Sequence, residues 1–145
     1  MLNWTPEIHA VGVTEMDATH EDFVRELATL TKAGDADFPH LFHSLVLHTR
    51  AHFENEGRLM RACRFPAIGE HESEHQRVLG ELALVGRGIA KGRLGLARAY
   101  VAVGMPDWFH KHLLTMDSAL AGRLKAQPAA APGWRRLHGQ PGRGP

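Results

Sequence analysis

Four residues near the middle of this 145-residue chain constrain its fold more than any others: His52 and Glu56, then His71 and His75. Each pair is spaced i,i+4, so on an α-helix the two side chains stand one turn apart on one face and reach a common point. Both pairs lie inside apolar stripes. The first runs Leu45, Thr49, His52, Glu56, Leu59, Cys63 and the second His71, His75, Val78, Leu82, Val85. Their spacings of three and four are those of a core-facing helix. A histidine or glutamate in such a stripe is buried on folding, and an isolated buried charge is very costly, so these side chains need partners. Only Phe65-Pro66-Ala67-Ile68-Gly69 separates the two segments, which makes them antiparallel neighbours. Two facing pairs are half of a dinuclear metal site, and the rest of the chain has to supply the other half.

Residues 1–16 have no helical period; Trp4, Pro6 and Gly12 predict an extended arm, anchored by Trp4 and Val13. Asp17 is the expected cap of a first helix over about 17–33, with His20, Phe23, Leu27 and Leu30 on its inner face and Gly34 closing it. A second helix runs from a cap at Asp37, with Pro39 in its first turn, to about Arg64. The third begins near Gly69 or Glu70 and ends weakly among Gly86, Gly88, Gly92 and Gly95. The fourth covers about 94–125, and Gly104-Met105-Pro106 predicts a kink near Ala102, whose carbonyl loses its donor. Its inner row is Phe109, Leu113, Met116, Leu120, flanked on opposite sides by His112 and Asp117. Those two are five apart, about 140° on an ideal helix. They meet one cluster only by straddling the inner row or through a π-bulge between them. No segment reads as a strand. The expected fold is all-α, an up-down-up-down four-helix bundle over 1–125 with an extended N-terminal arm. Residues 126–145, rich in proline and glycine, predict a disordered tail.

Composition narrows the function. Residues 1–127 hold all sixteen acids but only fourteen of the seventeen bases, because Arg135, Arg136 and Arg143 lie beyond them. A slightly acidic bundle argues against nucleic acid as a main partner. Cys63 is the single cysteine, so no internal disulfide forms and a reducing cytoplasm is expected. No signal peptide stands at Met1-Leu2-Asn3-Trp4, and the most apolar run, Leu94 to Met105, is too short to span a bilayer. The eleven histidines are the unusual count, with no low-complexity tract to explain them.

The ligand-capable residues on inward faces are His20, then His52 and Glu56, then His71 and His75, then His112 and Asp117. Five imidazoles and two carboxylates are too many for one first-row ion and suit two, with the carboxylates bridging. Structural zinc, which takes four tetrahedral ligands, has no use for seven. His48, four before His52, sits at the stripe edge and is read as flanking; His9, His40, His43, His110 and His138 are read as surface or arm residues. The pattern His20, His52-x-x-x-Glu56, His71-x-x-x-His75, His112-x-x-x-x-Asp117 resembles the hemerythrins, most of all the single-domain bacterial ones. Trp4, Gly12-Val13, Asp17, Leu59-Met60, Pro66 and Trp108 add to the resemblance, which covers about residues 3–125.

The resemblance implies reversible O2 binding at two oxo- or hydroxo-bridged, non-haem iron ions. By it His71, His75 and His112 ligate one iron, His20 and His52 the other, and Glu56 and Asp117 bridge. Two octahedra then lack one ligand, on the iron with two histidines, where O2 would bind. Trp108, Phe109, Leu113 and Phe23 are the expected pocket walls, with Phe109 where the family usually has leucine. Gly57 stands where members often carry a second acid. The implied role is O2 storage, delivery or buffering by a monomeric, cytoplasmic, non-enzymatic protein, whose partners are O2 and an O2-consuming protein. The alternatives are a sensor or interaction module for O2, NO or redox state, and a di-iron enzyme reducing peroxide or NO.

Overall fold

A computed structural model describes residues 2–126. The tail 127–145, expected to be disordered, and His138 within it lie outside the described residues. Every regular element in the described part is helical: α1 (Pro6–His9), α2 (Thr14–Lys32), α3 (Phe38–Ala62), α4 (Ile68–Ala90) and a final rod over 94–126. The rod comprises α5 (Leu94–Ala99), a π-turn (Tyr100–Gly104), α6 (Met105–His112), a second π-turn (Leu113–Asp117) and α7 (Ser118–Ala126). Each long helix packs on the next, and the rod returns to α2, so the four form a bundle. The buried sides of α2 and α3 are the predicted ones: His20, Phe23, Leu27 and Leu30 on α2, and Leu45, Thr49, Glu56 and Leu59 on α3. No described helix is long and apolar enough to cross a membrane.

The N-terminal segment differs from the expected extended arm. Pro6 opens the short α1, and the imidazole of His9 is buried at its end instead of lying on the surface. Trp4 stacks on that ring at 5.5 Å, and His9 Nδ1 accepts the Thr5 N–H at 2.9 Å. Four residues are too few to show a helical period, which is why the sequence reads as an arm. Trp4 and Val13 do pack on the core as anchors. Asp17 is not the cap of α2, which starts earlier, at Thr14. Its carboxylate reaches back to accept the N–H groups of Val11 (2.7 Å) and Gly12 (3.1 Å). The aspartate therefore ties the preceding loop to the first turn of α2.

The interhelix turn 63–67 begins with a C-cap in which Arg64 adopts a left-handed conformation, φ 52°. The Phe65 N–H bonds Met60 O at 2.8 Å and the Arg64 N–H bonds Arg61 O at 3.2 Å, satisfying carbonyls that end the helix. Arg123 on α7 covers the same end, donating Nε–H to Cys63 O at 3.0 Å. Helix α4 runs through Gly86 and Gly88 to Ala90, past the expected weak end. Each glycine costs a helix about 1 kcal/mol, but Val85 and Ile89 pack on the core there, and packing prevails.

The expected disturbance before Pro106 takes the form of the first π-turn. Pro106 has no N–H for the Ala102 carbonyl, and the Met105 N–H bonds Tyr100 O, five residues back. Gly104 lets the Tyr100 ring lie close, since a Cβ at that position would stand 3.0 Å from Tyr100 Cδ1.

Candidate metal centre

All seven predicted ligand residues converge in the middle of the bundle. His20 comes from α2, His52 and Glu56 from α3, His71 and His75 from α4, His112 from α6, and Asp117 from the second π-turn. His52 keeps slight exposure, and the other six are buried. The π-turn answers the five-residue spacing of the last pair. A regular helix would turn Asp117 about 140° from His112, whereas here both lie buried, with His112 Nε2 3.1 Å from Asp117 Oδ1.

The two carboxylates divide the five imidazoles. Glu56 Oε2 faces His52 Nε2 at 2.6 Å and His20 Nε2 at 3.4 Å. Its other oxygen, Oε1, faces His71 Nε2 and His75 Nε2, both at 3.2 Å. Asp117 repeats the division: Oδ2 is 3.1 Å from His20 Nε2, while Oδ1 is 3.2 Å from His71 Nε2 and 3.1 Å from His112 Nε2. Taken together, one oxygen of each carboxylate faces imidazoles of the set His20 and His52, and the other faces imidazoles of the set His71, His75 and His112. Two groups of donors follow, Glu56-His71-His75-His112-Asp117 and His20-His52-Glu56, each within 4.8 Å of one another.

This donor set fits metal ions better than it fits itself. His20 Nε2, His75 Nε2, His112 Nε2 and Asp117 Oδ1 are buried without a hydrogen bond, although each lies near an opposite group. These atoms gather within a few ångströms of one another without pairing. Leaving that many polar atoms unpaired in a core is costly, and cations between them remove the cost. The imidazole and carboxylate mixture suits first-row divalent cations.

Proton affinities follow the same geometry in the metal-free chain. Burial alone would lower the pKa of His20 and His71, but the facing carboxylates of Asp117 and Glu56 outweigh it and raise both to about 9. Burial would raise the Glu56 carboxyl, yet His52, His20 and His71 hold it well below the usual range. Asp117 is lowered too, since His112, His20 and His71 prevail over burial and the charge of Glu56. His75 is lowered, chiefly by burial.

An aromatic shell fixes the rings. Phe53 stacks flat on His75, centroids 3.8 Å apart and planes within 3°. Trp108 stacks on His112 at 4.8 Å and anchors itself by donating Nε1–H to Glu74 Oε2 at 3.0 Å. Phe109 meets His20 edge-on at 5.6 Å, and Phe65 meets His71 likewise at 6.1 Å. Gly57 stands under the Arg61–Glu72 contact of 3.5 Å, and a Cβ there would lie 2.9 Å from Glu72 Oε2.

A cavity of about 10 Å³ adjoins the centre, lined by Phe23, Thr49, His52, Phe53, Trp108, Phe109, His112 and Asp117. Three of the four expected wall residues are among these. Leu113 is fully buried but does not line the cavity, and Thr49 and Phe53 do. Thr49 was on the predicted inner stripe, whereas Phe53, next to His52, gave no signal of its own. His48 is flanking as expected, exposed and 2.5 Å from Glu26 Oε2.

Comparison with known proteins agrees with this geometry. The profile of a family described as Hemerythrin, the hemerythrin HHE cation binding domain, matches residues 11–124. The chain is also similar to a protein named Bacteriohemerythrin from Ralstonia nicotianae, 33% identical over 117 residues, which is 81% of this chain and 84% of that protein. No solved structure matches the chain.

Proposed function

The chain belongs to the hemerythrin family, and from that premise we propose that it binds O2 reversibly at two iron ions. His71, His75 and His112 would hold one iron and His20 and His52 the other, and Glu56 and Asp117 would serve both. The observation that carries this reading is the division of both carboxylates: Glu56 turns one oxygen to His20 and His52 and the other to His71 and His75, and Asp117 turns one to His20 and the other to His71 and His112. When bound, the iron pair supplies the electrons that O2 takes up and returns.

The protein's own residues orient, enclose and exclude. Stacking by Phe53 and Trp108 fixes the planes of His75 and His112, so their Nε2 atoms stay aimed at the centre. The O2 position is the cavity bordered by His52, His112 and Asp117. Its volume is close to that of a single water site, so it admits a diatomic and resists bulkier anions. Phe23, Phe53, Trp108 and Phe109 make most of its wall apolar, which keeps water away from the bound ligand. Among the described residues, the titratable groups bordering it are His52, His112 and Asp117, all of them ligands. No spare acid stands there to hand a proton to the ligand, and that favours returning O2 over converting it.

The ligand set is tested by metal analysis and by diffraction at the iron edge. The reading requires two irons per chain, one beside three histidine nitrogens and one beside two. A single iron, or zinc alone in protein made with ample iron, overturns it.

A further inference from the structure

Thr49 carries a feature that the ligand set does not use. It lies on α3 one turn before His52, is 2% exposed, and lines the cavity beside His52 and Asp117. Its hydroxyl is buried and has no hydrogen-bond partner. Helical threonines ordinarily return their hydroxyl to the backbone, and Thr19, Thr29, Thr31 and Thr115 do so. They bond the carbonyls of Glu15, Arg25, Leu27 and Lys111 at 2.7–3.1 Å. The equivalent acceptor for Thr49 is the Leu45 carbonyl, and that bond is not made. An unpaired buried hydroxyl lowers stability. Valine has the same shape and would fill the position without that penalty. The hydroxyl is also shut off from the groove of about 430 Å³ between α2 and α3, although Thr49 forms part of its floor.

We propose that the Thr49 hydroxyl is the hydrogen-bond donor the protein offers to a small ligand in this cavity, and that it sets how tightly and how long that ligand is held. The inference rests on the O2 reading. The ligand class is a diatomic or triatomic species that is anionic or takes up electron density on binding, such as O2 or azide. The other cavity walls are aromatic rings and ligand residues. Thr49 is therefore the neutral donor with no other duty. Being neutral, a hydroxyl holds such a ligand without protonating it, as a reversible binder requires.

The test compares wild type with Thr49→Val, Thr49→Ala and Thr49→Ser. Azide affinity is measured on the iron-loaded proteins and thermal melting on the metal-free ones. Loss of the hydroxyl in Thr49→Val and Thr49→Ala should weaken azide roughly tenfold or more, mainly through faster dissociation. Thr49→Ser should stay within about twofold of wild type. Metal-free Thr49→Val should melt at or above the wild-type temperature, because an unpaired hydroxyl gives way to a methyl group. Azide affinity unchanged in both Thr49→Val and Thr49→Ala overturns the proposal. So does a metal-free Thr49→Val that melts several degrees lower, which marks the hydroxyl as structural. No azide binding by iron-loaded wild type overturns this inference, and no O2 uptake by the reduced, iron-loaded wild type overturns the O2 reading on which it rests.

Discussion

Replacing Phe109 with leucine should open the ligand cavity at a cost in stability. The Phe109 ring is 2% exposed, packs 5.0 Å from Phe23 and meets His20 edge-on at 5.6 Å. It forms one wall of a cavity of about 10 Å³, so any carbon removed there adds a large fraction of the existing space. Leucine has three fewer side-chain carbons, a loss of about 2.4 kcal/mol at about 0.8 kcal/mol each. The space left open adds to that figure, less so where neighbours collapse into it. At about 2–4 °C per kcal/mol for a domain of this size, the melting temperature should drop by at least roughly 5–10 °C. Stopped-flow azide binding and the autoxidation rate report on access to the metals. Relief of about 1.4 kcal/mol of steric barrier is a tenfold rate increase, and both rates should rise on that order. Unchanged rates in Phe109→Leu and Phe109→Ala, with iron content preserved, would show that the ring merely packs between helices.

Glu56 faces four imidazoles, so Glu56→Gln should lower iron below two per chain. A hundredfold weaker metal affinity removes about 2.7 kcal/mol of ligand-linked stability, or roughly 5–11 °C of melting temperature; iron content equal to wild type would refute its bridging role. In chelated protein, His20 and His71 titrate near 9 instead of 6.5, so their stabilisation is full below about pH 6.5 and lost as pH rises through 9. Glu56 and Asp117 are lowered, so their share is present at neutral pH and lost in acid. Metal-free protein should therefore melt lower at pH 9 than at pH 6.5, while iron-loaded protein, whose ligands are already deprotonated, should not; a rise in the metal-free melting temperature over that window contradicts the geometry. Deleting the exposed Thr115 shortens the His112–Asp117 spacing from five to four, about 40° apart on a regular helix. If the second π-turn exists to aim Asp117, the deletion variant should retain iron, and metal loss would assign that turn another role.

The seven converging residues were legible because five of them interrupt apolar stripes, where a polar side chain has to be explained, and His112 and Asp117 flank the inner row of the last helix. The five-residue gap between His112 and Asp117 left two solutions open, straddling the inner row or a π-bulge, and the structure has a π-turn over Leu113–Asp117. The proline signal at Pro106 gave the place of a disturbance but not its form, since a lost N–H can be absorbed by a kink or by rewinding. What escaped depends on short or three-dimensional relations. The four-residue α1 shows no period, so the burial of His9 against Trp4 could not be read. Asp17 has the residue type of a cap, yet it serves the loop amides of Val11 and Gly12 from within the helix. Periodicity placed Thr49 inward, but that its hydroxyl makes no bond depends on atomic positions. Gly57 marked a departure from the family pattern, and the packing adds that a Cβ there would crowd Glu72 and Arg61.

The most direct test of the account is an O2 cycle on the reduced, iron-loaded protein, followed by visible absorption and by O2 uptake per chain. The predicted result is one O2 taken up per pair of irons, with a new visible band. Removing the gas should bleach that band and recover the O2, and the cycle should repeat without loss of iron. Uptake without recovery, with the iron left oxidised after a single exposure and peroxide or water as product, would contradict reversible binding and point to a di-iron oxidase.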